Sequence, residues 1–148
     1  MILPRRENGE VLLQSWTNAE ATIIDGFGSF YRADEGSEET AQRVLGEWDI
    51  KARLTKAAQL QYYINKPTGL VDLRITIYFA DVTADPPMRK TMQWFKPTGI
   101  PYAQMHPATG KWLPLLLNGQ VPLEATVKVN QQGDHTKGIV TEFIPRID

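Results

Sequence analysis

Among the charged residues between positions 35 and 47, Glu35, Arg43 and Glu47 are of types that could meet a metal ion or a charged ligand. Carboxylates one helical turn apart meet on one face, where they can hold a divalent cation. Nearby acids do not join Glu47 in such a group. Glu39 lies eight residues earlier, about 12 Å along a helix axis. Asp49 follows two residues later, about 200° around the axis. The stretch also reads as an ordinary ion-pair ladder, since Glu39, Arg43 and Glu47 recur every four residues. Such exposed pairs contribute only ~0.3–0.5 kcal/mol each. Upstream, Asp25-Gly26-Phe27-Gly28 carries two glycines within three residues, which suits unusual backbone angles or a close approach of main chain. Downstream, His106 beside Pro107 reads either as a pocket residue or as a surface-loop histidine. His135, in Gln131-Gln132-Gly133-Asp134-His135, reads as an exposed turn residue.

These residues need elements to position them. Gly9–Gln14 and Thr22–Ile24 read as short strands, the first led in by the turn pair Asn8-Gly9. Ser37-Glu38-Glu39-Thr40 resembles a helix start, with a serine cap and acids that suit the dipole, and the helix runs to about Trp48. Ala41, Val44, Leu45 and Trp48 follow the i, i+3, i+4, i+7 stripe of a core-facing helix, which predicts that Val44 and Trp48 are buried. Leu60–Asn65 and Val71–Asp81 read as a hairpin around Lys66-Pro67-Thr68-Gly69, the second strand alternating apolar and polar residues. Met92–Phe95 reads as a strand. Lys111–Leu117 reads as a short helix with Pro114 in its first turn, and Val121–Val129 with Gly138–Ile144 as a last pair of strands.

Two segments together resemble the Nudix hydrolases. The first runs from Asp25-Gly26-Phe27-Gly28 through Glu35-Gly36 to Arg43, Leu45 and Glu47. It is similar to the Nudix box: Gly, five residues, Glu, seven residues, then Arg-Glu-aliphatic-x-Glu-Glu-x-Gly-aliphatic. The second, Ile100-Pro101-Tyr102-Ala103-Gln104-Met105-His106-Pro107 followed by Trp112-Leu113-Pro114-Leu115-Leu116-Leu117, resembles the MutT-type subfamily that hydrolyses oxidised purine nucleoside triphosphates. The resemblance implies an α/β fold, the Nudix α/β/α sandwich with a mixed β-sheet between helices. It also implies attack of water on an internal phosphate, with divalent metal ions holding the phosphates. The relic catalytic positions are then Glu35, Arg43 and Glu47, and the ligand-binding positions Asp25, Phe27, Gly28, His106 and Trp112.

The chain departs from the pattern at the metal positions, which are Val44, Glu47 and Trp48, so Glu47 is the one metal ligand left. Ser29 stands for the opening Gly and Ile50 for the later one, and Arg89 falls where a further acid belongs. Ala108 and Thr109 replace the Asp pair that reads the purine, His106 replaces an aromatic, and Asp25 replaces an Asn. The resemblance therefore implies a binding or interaction module for a nucleotide-like molecule, with hydrolysis weak or lost. The alternative is an active nucleoside di- or triphosphate pyrophosphohydrolase using Mg²⁺ or Mn²⁺, and a third reading is a purely structural partner protein.

Composition agrees with a folded enzyme-sized unit. At 148 residues, without repeats, low-complexity tracts or linkers, positions 1–148 read as one domain. A net charge of −1 gives no electrostatic footprint for nucleic acid or an anionic membrane. The absence of cysteine excludes disulfides, thiolate metal sites and cysteine nucleophiles and fits a reducing cytoplasm. Neither a signal peptide nor an apolar run of membrane-spanning length is visible, which predicts a soluble cytoplasmic protein. No protein partner is specified.

Overall fold

The structure, a computed structural model, describes residues 1–17, 19, 21–29, 31–132 and 137–146. His135 lies outside them. The chain runs β1 (Ile2–Arg5), β2 (Val11–Thr17), β3 (Thr22–Asp25), α1 (Ser37–Glu47), β4 (Ala52–Lys66) and β5 (Gly69–Val82). It continues through β6 (Met92–Phe95), α2 (Thr109–Leu117), β7 (Leu123–Gln131) and β8 (Gly138–Arg146). The strands form one sheet in the order β3-β2-β1-β5-β4-β7-β8, with β6 paired to β2. The sheet is mixed, because β1 runs parallel to β5, and β4 to β7, while the other pairs are antiparallel.

Successive side chains of a strand point to opposite faces, and this alternation sorts the core into two layers. Val11 and Leu13 of β2, and Ile77 and Phe79 of β5, pack with Trp112, Leu113 and Leu116 of α2. Their neighbours Leu12, Tyr78 and Ala80 pack on the other side with Ala41, Val44 and Leu45 of α1. The helices thus cover opposite faces, as an α/β/α sandwich requires. In the hairpin, Lys66 pairs with Gly69, leaving Pro67-Thr68 as a two-residue turn, and Gly69 takes a φ of +130° that disfavours other residues.

Several local expectations are corrected. β1 was not expected; four residues carry too little pattern, and it is held by its parallel register with β5 from Ile2–Tyr78 to Arg5–Asp81. Ser37 does not cap α1. Gly36 occupies the cap position, and the Ser37 hydroxyl is hydrogen-bonded to the Tyr78 hydroxyl at 2.7 Å. α2 starts at Thr109, which puts Pro114 inside the helix rather than in its first turn. β5 keeps one apolar face only near the hairpin; Thr76 to Ala80 are buried on both faces because helices lie on both sides. The end of α1, at Glu47 with Trp48 as its C-cap, falls where the sequence placed it. Asp49 turns into the left-handed region at φ 55°, its N–H donates to the Gly46 carbonyl and the Ile50 N–H to the Leu45 carbonyl, closing the last turn.

Candidate functional site

β1 begins at Ile2, opposite Tyr78, so among the described residues β5 has no strand partner on that side before Tyr78. A cleft of about 670 Å³ opens along this free edge. The segment after β3 forms one wall, β4 and β5 the opposite wall, and α1 and α2 reach in from the two faces of the sheet. Asp25, Phe27, Gly28, His106 and Trp112, the five ligand-binding positions implied by sequence, all line it.

The glycine-rich wall is held against β1. Phe27 and Ile2 exchange two backbone hydrogen bonds, of 2.9 and 2.6 Å. A Cβ on Gly26 would lie 2.9 Å from the Ile2 carbonyl oxygen, so this is the close approach that the two glycines suggested. Gly28 has no such constraint, its nearest neighbour being 3.9 Å away. The Asp25 carboxylate accepts a 2.8 Å hydrogen bond from the Gly26 N–H.

On the opposite wall, the Trp112 indole N–H donates to the Tyr62 hydroxyl at 2.8 Å, with both side chains buried. Burial pushes the Tyr62 phenol up, and the negative charge of Asp25 adds to the effect, so the hydroxyl keeps its proton. His106 stands edge-on to Tyr62 with ring centroids 5.5 Å apart. Its Nδ1 accepts from the Ala108 N–H at 3.1 Å, which places the proton of the neutral imidazole on Nε2. Sequence reasoning missed Tyr62, although Leu60, Tyr62 and Ile64 alternate as one buried face of β4.

Glu35, Arg43 and Glu47 come together, but none of them lines the cleft. Arg43 grips Glu35 through two hydrogen bonds of 2.8 and 2.9 Å and reaches Glu47 at 3.0 Å. The Arg32 N–H and the Thr40 hydroxyl also donate to Glu35, at 2.8 and 3.1 Å. Arg43, together with these donors, holds the Glu35 carboxyl down to about 2. The ladder therefore runs through Glu35 from the preceding loop; Glu39 makes no ion pair among the described residues.

Of the other two positions that the box assigns to metal, Val44 is buried and lines the cleft. Trp48 keeps some exposed surface but packs against the α1 side of the core, in keeping with the mostly buried position that its place in the stripe predicted. Its ring meets Phe27 edge-on at 4.8 Å, and the Arg89 guanidinium lies 4.4 Å above it. Arg89 also donates to the Glu47 carbonyl at 2.8 Å, a favourable place for a cation at the C-terminal end of a helix. Among the described residues, no three His, Asp or Glu side chains gather as a group that could hold a metal ion. Nor is any helix among them long and apolar enough to cross a membrane.

No family model and no curated protein matches the sequence. Among solved structures, the fold is similar to that of the mMutator MutT protein from Bacillus halodurans, with a TM-score of 0.71 over 97% of this chain and 94% of the other. The two are 17% identical, so the likeness is one of fold. The mixed sheet between two helices is thus Nudix-like, as the sequence resemblance implied.

Proposed function

We propose that this Nudix-fold protein binds a nucleotide-like ligand in the cleft and has weak or no hydrolytic activity. The observation that carries the reading is the division between cleft and carboxylates. The cleft is open and lined by aromatic and polar groups, while Glu35 and Glu47 lie outside its lining, both bound to Arg43. A hard divalent cation wants several oxygen ligands converging at about 2.0–2.6 Å. Valine, glutamate and tryptophan at positions 44, 47 and 48 do not fit such an ion. Binding needs only what the cleft retains. Apolar and aromatic walls suit a flat heterocycle, the Asp25 carboxylate can accept its N–H groups, and the Tyr62 hydroxyl can donate to an acceptor.

Thermal stabilisation by a panel of nucleosides and nucleotides tests this, since a ligand that binds only the folded state raises its melting temperature. The expected result is a rise that Asp25→Ala abolishes and Glu47→Gln preserves. A rise lost with Glu47→Gln but kept by Asp25→Ala would move the site from the cleft to the charged cluster. No rise with any member of the panel would favour a purely structural role.

A further inference from the structure

Two buried hydroxyls in the cleft wall differ in what they can read in a ligand, and the selectivity inferred from one of them rests on the ligand-binding reading. Tyr62 of β4 and Thr109 of α2 both line the cleft, at 4% and 3% exposure. Thr109 makes no side-chain hydrogen bond among the described residues. A threonine hydroxyl rotates and can donate or accept, so Thr109 suits either kind of ligand group.

Tyr62 lacks that freedom. An indole N–H can only donate, and that of Trp112 donates to the Tyr62 hydroxyl at 2.8 Å. The oxygen that accepts this bond turns its own proton away from the indole. That proton has no acceptor among the described residues. The group also keeps it, because burial pushes the phenol up and the charge of Asp25 pushes the same way. The hydroxyl thus lies within electrostatic reach of Asp25, on the opposite wall. Packed among the core residues on the α2 side, with His106 edge-on at 5.5 Å, the ring cannot swing aside.

Solvent can meet the Tyr62 proton while the cleft is open. A ligand lying over Tyr62 shuts solvent out, and must supply an acceptor or leave a buried donor unpaired. That acceptor has to project, since the hydroxyl is recessed in the wall. A carbonyl oxygen stands about 1.2 Å out from its ring and accepts over a broad range of directions. A ring nitrogen lies within the outline of the heterocycle.

We propose that Tyr62 is a specificity-determining residue of the cleft: held by Trp112 as a one-way donor, it selects a heterocycle that places a ring carbonyl oxygen on it over the analogue with hydrogen there. Trp112 contributes to this selection through Tyr62, as a positioning residue.

Calorimetric titration of nucleoside pairs tests the selection: inosine beside purine riboside, guanosine beside 2-aminopurine riboside, and uridine beside 4-deoxyuridine. The second of each pair lacks one ring carbonyl. For at least one pair, the parent chain is expected to bind the carbonyl compound about tenfold more tightly, as a site built around a hydrogen bond rejects the analogue without it. Losing the carbonyl also removes a neighbouring ring N–H that Asp25 could read, so the variants decide. Tyr62→Phe should lower the ratio of the two affinities about tenfold. Because it leaves the Trp112 N–H unpaired, Tyr62→Phe is repeated together with Trp112→Phe, which removes both partners of the buried bond. Circular dichroism checks that each variant folds. Trp112→Phe alone should also lower the ratio, although the hydroxyl is still there, because it is then free to turn. A Trp112→Phe chain that keeps the ratio overturns the positioning role. A parent chain that binds these nucleosides without the preference, or a folded variant that lacks the hydroxyl and keeps it, overturns the role of Tyr62 alone. If none of the nucleosides binds, the ligand-binding reading falls and the selection with it.

Discussion

Removing the Trp48 side chain probes the ground that separates the cleft from the C-terminal end of α1. The ring is half-buried, meets Phe27 edge-on at 4.8 Å and carries Arg89 at 4.4 Å on its face. Truncating a fully buried tryptophan costs about 3–5 kcal/mol. A half-buried one that also loses an aromatic pair and a cation–π contact should cost about 2–3 kcal/mol. For a chain of 148 residues, that is a fall in melting temperature of about 5–10 °C. In urea, the midpoint should drop by about 1 M for a slope of ~2 kcal/mol/M. The cation–π share can be isolated with Arg89→Ala and the double variant. A coupling of about 0.5–1 kcal/mol is expected, because Arg89 loses its platform when the indole is gone. A Trp48→Ala change within about 0.5 kcal/mol would be that of an exposed surface residue and would refute the packing argument.

Glu35, held down to about 2 by Arg43 and the donors around it, titrates at ~4.3 in an unfolded chain. Its contribution to stability is fully present above the unfolded value and lost as pH falls through that window. Glu35→Gln should therefore be less stable than the parent at pH 7, with the gap closing between about pH 4.5 and 2; a gap that stays constant in chemical denaturation across that range would contradict the linkage. Restoring Val44→Glu and Trp48→Glu together should destabilise the metal-free chain, by loss of packing and crowding of like charges, and let Mg²⁺ or Mn²⁺ recover part of the loss. If that variant folds but its melting temperature rises with metal no more than the parent's, residues 44, 47 and 48 do not converge on one helix face.

The helix that carries this argument was legible because Ala41, Val44 and Leu45 repeat with helical period, and all three are buried. The long hairpin was legible from alternation and from Lys66-Pro67-Thr68-Gly69. What sequence missed was non-local. β1 has four residues and owes its place to a parallel pairing with β5 more than 70 positions away. Among the described residues that pairing stops at Tyr78 and leaves the cleft open beside β5, which is why Tyr62 could not be picked out beforehand. Spacing pointed Arg43 towards Glu39, four residues before it. The loop before α1 instead brings in Glu35, whose carboxylate also takes the Arg32 N–H and the Thr40 hydroxyl. Asp49 was placed by continuing the helix, whereas its left-handed backbone ends it. The five cleft residues were found from family resemblance; their shared wall space could not be read from their separation along the chain.

The most direct test of the account is release of phosphate or pyrophosphate from canonical and oxidised purine nucleoside triphosphates, with Mg²⁺ or Mn²⁺ present, by the parent chain and by Glu47→Gln. The account expects no turnover above the protein-free control, and the same result for both chains, because one glutamate bound to Arg43 cannot hold and aim a metal ion. Turnover within the ordinary enzymatic range of ~1–10³ per second, abolished by Glu47→Gln, would contradict it and show an active pyrophosphohydrolase.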